Sequence, residues 1–294
     1  MRLIALAIPA LMVAAAPAAA QNAGRLPADA APVVAAERAF AADFPAMGLA
    51  GSFSKWSTPD AIIITGGQAR TTTELFADAP RTRQPGEPLI EWWPVFAGIS
   101  MSGDLGFTTG PARQDGEGYG HYFTVWKRQP DGRWLWIYDG GTGADPSGQP
   151  GPDSEPRLLP VATVGSASPA AAMAEVEDAE AGLAAQSASN VKTAHLQYLA
   201  ADGRLYVAPL APADGPDAFA TALDGWPQGM AIGAMEGGGA SDAGDMVWTW
   251  GPVAWVRDGV GRHGHYVRIW QKRPEGWRIV LAQLIIAPPS ATAN

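Results

Sequence analysis

The chain has 294 residues, 47% of them hydrophobic and 9% aromatic, with twelve tryptophans, no cysteine and a net charge of −9. That length predicts about two domains of ~100–150 residues each. The absence of cysteine excludes thiol catalysis, cysteine-ligated zinc and iron–sulfur clusters, and the negative balance repels phosphate backbones, so no nucleic-acid partner is expected.

Residues 1–20 read as a secretory signal peptide. Arg2 is the positive start, Leu3 to Val13 the apolar centre, and Ala18-Ala19-Ala20 the small-residue cleavage site before Gln21. The mature chain is therefore expected to be periplasmic or secreted. No later run approaches the ~20 apolar residues that a membrane-crossing helix needs, so no membrane partner is expected. From Pro32 to Phe44, Val33, Phe40 and Phe44 form one helical stripe, with Asp29 as a candidate cap. Phe53 to Gly67 predicts a turn at Thr58-Pro59-Asp60 feeding a strand, Ala61 to Thr65. SGDLGFTTGP (Ser102–Pro111) reads as a strand, followed by a Gly-rich turn and GHYFTVWKRQPDGRWLWIY (120–138), a hairpin closed at Pro-Asp-Gly. Residues 144–167, rich in Gly, Pro and Ser, carry no periodicity and are expected to be a linker.

The same order then returns. Ser168-Pro169 is a cap and first-turn pair, and Met173, Val176 and Leu183 give a helical stripe. His195 to Val207 predicts a helix end, a turn at Ala201-Asp202-Gly203 and a strand. AGDMVWTWGP (Ala243–Pro252) repeats SGDLGFTTGP 141 positions on, and GHYVRIWQKRPEGWRIVL (264–281) repeats the hairpin, with His265 and Trp270 each 144 positions after His121 and Trp126. Residues 21–143 and 168–294 are thus expected to be two domains. Helices first and a strand meander after them predict α+β folds, each with N-terminal helices packed on a curved antiparallel sheet.

These residues carry a resemblance. SGDLGFTTGP with GHYFTVWKRQPDGRW, and YLAADGRLYV with AGDMVWTWGP and GHYVRIWQKRPEGWRIV, resemble the SnoaL-like, ketosteroid-isomerase-like group, and more narrowly its large subfamily carried as a domain of unknown function. The resemblance implies two tandem cystatin-like cone domains, each a curved sheet wrapped around helices with a pocket at its open end. Members of the group include isomerases, cyclases, dehydratases, ligand binders and dimerisation modules, so the fold alone does not select an activity. Related single domains pair through their sheets. An internal pseudo-dimer of the two repeats is therefore an expectation here, and the Gly/Pro/Ser-rich stretch 140–167, with a flexible reach of about 29 Å, spans a domain's width.

Asp104 and Asp245 are matched carboxylates at the start of the Gly-Asp strands; each is a candidate catalytic base or a turn residue bonding nearby amides. Asp139, whose counterpart is Ala282, is an unmatched acid among aromatics and a candidate cavity base or a strand-end residue. On one strand face lie His121 and His265; on the other lie Tyr122 and Trp126, matched by Tyr266, Arg268 and Trp270. Either face qualifies as a pocket wall. His263-Gly-His265 offers two imidazoles on one face but no third ligand nearby, so no metal and no cofactor are expected. No phosphate-binding Gly loop or Gly-x-Ser-x-Gly elbow is present. The leading expectation is an exported module binding a small, largely apolar ligand in a cone pocket. An acid–base enzyme of isomerase, dehydratase or cyclase type using a pocket Asp, and a non-catalytic dimerisation scaffold, are the alternatives.

Overall fold

The first helix begins where Asp29 accepts the Ala31 N–H at 2.9 Å, with Pro32 in its first turn. The computed structural model describes residues 29–288, so the expected signal peptide lies outside the described residues. Helix α1 (Ala31–Trp56) buries Val33, Phe40 and Phe44 on its expected stripe. It runs past the expected end and turns a corner at Gly48, whose φ of 66° favours glycine and whose absent Cβ would lie 2.8 Å from the Arg83 backbone. Then come β1 (Ser57–Thr65), β2 (Gln68–Thr71), α2 (Thr72–Phe76), β3 (Ile90–Trp92), β4 (Phe96–Ile99), β5 (Leu105–Gln114), β6 (Glu117–Arg128), β7 (Trp134–Thr142) and β8 (Arg157–Leu158). The second series is α3 (Pro169–Ser187), α4 (Val191–Tyr198), β9 (Leu199–Tyr206), β10 (Ala213–Asp214), α5 (Pro216–Ala222), β11 (Ala231–Ile232), β12 (Gly237–Ala240), β13 (Met246–Arg257), β14 (Val260–Arg273) and β15 (Gly276–Ile286). Ser168 caps α3 by accepting the Ala171 N–H at 3.1 Å.

The chain is α+β, its helices packed on two mixed sheets. One has the order β2-β1-β7-β6-β5-β4-β8, with β3 also on β5; the other has β10-β9-β15-β14-β13-β11, with β12 also on β13. The meanders β5–β7 and β13–β15 are antiparallel, as expected. At the first strand of each series the pairing is parallel instead: β1 runs with β7 and β9 with β15. The turns expected at Thr58-Pro59-Asp60 and Ala201-Asp202-Gly203 are bulges inside β1 and β9. The strand on each side of the bulge pairs with the same neighbour, so the extra residues loop out and the chain direction is kept. The hairpin β5–β6 turns at Asp115-Gly116 and β13–β14 at Asp258-Gly259, all four at positive φ as a two-residue turn of this hand requires.

The pleat decides which face goes where. Tyr122, Trp126 and Trp136 pack with Val33, Phe40, Phe44 and Trp92 under α1. Tyr266 and Trp270 pack with Val176, Leu183 and Trp226 under α3. The opposite faces, Phe107, Phe123, Val125 and Tyr138 of the first sheet and Trp248, Val267 and Ile269 of the second, share one apolar cluster. Across it Gln283 donates to the Tyr138 hydroxyl at 3.1 Å, and the hydroxyls of Thr109 and Tyr206 lie 2.7 Å apart. The expected linker holds β8, which joins the edge of the first sheet beside β4. Its two-residue strand is too short for any periodicity to reveal.

Candidate functional site

Between α1 and the first sheet lies a cavity of about 490 Å³. Phe40, Phe44 and Phe53 of α1 form one wall, Ile63 and Ile64 of β1 and Trp92 of β3 others. This is the volume and apolar character of a small-molecule site. Three candidate residues from the sequence meet here: His121, Tyr122 and Asp139.

Asp139 sits opposite Thr124 in the β6–β7 ladder, and its Oδ2 accepts from the Thr124 hydroxyl at 2.7 Å. It is buried, and no cation pairs with it among the described residues. Burial first, and then the charge of Glu37, push its carboxyl well above the ordinary carboxylate range. Tyr122, two residues before Thr124 on the same face, has a buried hydroxyl without a hydrogen-bond partner. Burial and then Glu37 raise this phenol as well, so Tyr122 stays a neutral donor. The His121 Nδ1 lies 3.3 Å from the Ala144 carbonyl, its ring stacks obliquely on Tyr206, and burial lowers its pKa to about 4. With Nδ1 donating to that carbonyl, Nε2 is an unpartnered acceptor. On the α1 side the cavity thus has a carboxyl inclined to keep its proton and a phenol, while the neutral His121 imidazole lies on the opposite face of β6, against Tyr206.

Beneath the cavity floor lies Glu37, which the sequence reading missed. It is fully buried and accepts from Trp92 Nε1 at 2.6 Å, from Trp126 Nε1 at 3.0 Å and from the Thr108 hydroxyl. Burial raises its carboxyl, with these bonds opposing. The signal was present: Glu37 lies on the Val33–Phe40–Phe44 stripe, and Glu180 lies on the matching stripe between Val176 and Leu183.

The second series builds the same place differently. Glu180 accepts from Thr249 at 2.7 Å and from Trp270 at 2.8 Å, as Glu37 does from Thr108 and Trp126. Arg268, standing where Thr124 stands, forms an ion pair with Glu180 and lies 4.0 Å from the Tyr266 ring centre. Asp139 is answered by Ala282, which faces Arg268 in the ladder. Here the buried carboxylate has its own cation.

The remaining candidates lie elsewhere. Trp126 and Trp270 are fully buried behind their glutamates. His265 lies on the strand face opposite Tyr266, with its ring centre 6.0 Å from that of Trp250. Asp104 and Asp245 lie in loops where the two series touch. Asp104 accepts from Ser100 and Ser102, from Lys127, and from the Asp242 N–H at 3.1 Å; Asp245 accepts from Ser241 at 2.7 Å and from the Met101 N–H at 2.9 Å. Burial opposes ionisation of Asp104, but the Lys127 and Ser102 bonds outweigh it and hold the group below the usual range; at Asp245 burial dominates and raises it. Neither lines the cavity. Among the described residues no cluster of three or more His, Cys, Asp or Glu has the arrangement of a metal site.

No protein-family model and no curated protein matches the chain. Among solved structures it is similar to an NTF2-like protein with a cystatin-like fold from Novosphingobium aromaticivorans, at 22% identity over 41% of this chain and 85% of that one, with a TM-score of 0.33. It is similar also to a ketosteroid isomerase-like protein from Erwinia carotovora atroseptica, at 16% identity over 40% of this chain and 96% of that one, with a TM-score of 0.35. A third, an NTF2-like superfamily protein from Salmonella enterica, shares 16% identity over 42% of this chain and 97% of its own, with a TM-score of 0.34.

Proposed function

We propose that the chain is an exported, tandem SnoaL-like protein that binds a small, neutral, largely apolar molecule in the cavity under α1. The observation that carries the reading is that an otherwise largely apolar cavity is lined by Tyr122, whose buried hydroxyl has no partner, and by Asp139, a buried carboxyl without a cation among the described residues. A buried hydroxyl without a partner costs about 1–3 kcal/mol, which a ligand oxygen accepting from it would recover. A ligand carboxylate would instead face two acidic groups, Asp139 and Glu37. The favoured ligand therefore carries one uncharged acceptor oxygen on an apolar body. The export reading rests on the sequence of residues 1–20, and a periplasmic or secreted address follows from it. The apolar cluster shared by the two sheets supports an internal pseudo-dimer.

A second reading, an acid–base enzyme, is favoured by one observation: the raised carboxyl of Asp139 lines a cavity rather than a closed core. One experiment addresses both. The aryl ketone 2-acetylnaphthalene is titrated against the full chain by tryptophan fluorescence, then incubated with it in D₂O. Binding is expected to be saturable, and Tyr122→Phe to weaken it about tenfold. No saturable quenching would overturn the binding reading. Exchange of the ketone's methyl protons for deuterium, catalysed by the wild type and lost in Asp139→Asn, would establish the enzyme reading. Binding without exchange would leave a binding module.

A further inference from the structure

The two series differ at one sheet edge. β4 and β12 correspond: each pairs antiparallel with the strand that follows it, β4 with β5 and β12 with β13. β4 has a second neighbour, β8, which runs parallel to it with Arg157 opposite Phe96 and Leu158 opposite Ala97. The Arg157 N–H donates to the Val95 carbonyl at 2.9 Å and the Leu159 N–H to the Ala97 carbonyl at 2.8 Å. The Arg157 side chain then reaches across to the β9 bulge, donating to the Asp202 carbonyl at 2.7 Å and to Asp214 at 2.8 Å, with its guanidinium 3.9 Å from the Phe96 ring centre. The linker segment is thus a short strand held by backbone bonds and by one arginine.

A chain with one linker can cover one such edge. Among the described residues β12 pairs with β13 alone. Where β8 would lie by analogy, there is a cleft of about 400 Å³ between β12 and the β1 bulge. Asp60 stands in that bulge as Asp202 stands in the β9 bulge. Asp60 and Glu236, both exposed, line the cleft and join no ion pair among the described residues, whereas Lys127, the cation beside them, is bound to Asp104. The Trp248 indole, another wall, has a buried N–H without a partner. The cleft therefore offers an unpaired strand edge, uncompensated negative charge and an aromatic wall together.

We propose that the free edge of β12 binds an extended peptide segment of another molecule, carrying an arginine followed by an apolar residue and added as a parallel strand, in the manner of β8 on β4. Backbone bonds to β12 hold the strand, Asp60 and Glu236 select the arginine, and Trp248 covers the apolar side chain. So small a contact belongs with weak, reversible associations.

The probe is a synthetic peptide of residues 155–161, Glu-Pro-Arg-Leu-Leu-Pro-Val, titrated into the full chain and followed by tryptophan fluorescence and amide hydrogen exchange. Saturable binding is expected, with new protection confined to residues 237–240. Replacing the peptide's arginine by glutamate, or Asp60→Lys in the protein, is expected to weaken binding about tenfold or more. No saturation by about 1 mM peptide, equal affinity for the arginine and glutamate peptides, or protection at residues 96–99 instead would overturn the proposal.

Discussion

Two buried glutamates occupy the same place in the two series, and their partners set what each place can do. Glu180 has Arg268; Glu37 has only neutral donors, with Asp139 nearby and equally without a cation. Removing the cation from a buried pair leaves an uncompensated charge, so Arg268→Met is expected to cost about 3–5 kcal/mol. Glu37→Gln strands no charge but turns an amide NH2 toward one of the donors that Glu37 accepts from, and is expected to cost about 1–2 kcal/mol. Urea denaturation of the two variants checks this; equal losses would contradict it. The pH dependence follows from the raised carboxyl of Asp139. In the folded state it holds its proton above the unfolded value, so its contribution is fully present below about pH 4 and is lost as pH rises through the folded pKa. Relative to Asp139→Asn, wild-type stability should therefore fall across that window and then level off, as read by melting temperature against pH. Buried His195 acts in the opposite direction. Its pKa is lowered by burial, then by Arg268, to about 3, so the stability it contributes is lost as pH falls from about 6.5 toward that value.

At the scale of elements, the repeated Gly-Pro that ends SGDLGFTTGP and AGDMVWTWGP has a packing cause. A Cβ on Gly110 would lie 1.9 Å from the Trp93 carbonyl oxygen, and one on Gly251 would lie 2.7 Å from that of Ala234. Backbone cannot give way as a side chain can, so Gly110→Ala is expected to cost about 3 kcal/mol, measured by thermal melting. An unchanged melting temperature would contradict that packing. Much of the fold was legible at this scale. The hairpins, the Ser168 cap, the α1 and α3 stripes and the α+β order follow from period, turn residues and internal repetition. The bulges in β1 and β9 were read as turns because Pro-Asp and Asp-Gly favour both, and only the partner strand distinguishes them. The face of Tyr122 and Trp126 was undecided because both faces of β6 are covered, one by α1 and the other by the second sheet, so no polar side marks the outside. Of the candidate site, Asp139, Tyr122 and His121 were named from residue type. Glu37 is not legible in that way, because a lone charged residue on an apolar stripe carries no sign of its role and only its match with Glu180 sets it apart.

At the scale of the whole molecule, the two series hold each other by a shared apolar cluster and by reciprocal loop contacts, Met101 N–H to Asp245 and Asp242 N–H to Asp104. Such coupling predicts a single unfolding transition in scanning calorimetry, lowered by Asp245→Ala through the stranded Met101 and Ser241 donors. Two separated transitions in the wild type would contradict it. The asymmetry between Thr124 and Arg268 leads to the central claim, a single ligand site per chain in the cavity under α1. Calorimetric titration of the full chain with 2-acetylnaphthalene tests it most directly. A stoichiometry of one, abolished when Ala112→Trp fills the cavity, is the predicted result. Two equivalents per chain, or binding that Ala112→Trp leaves intact, would contradict it.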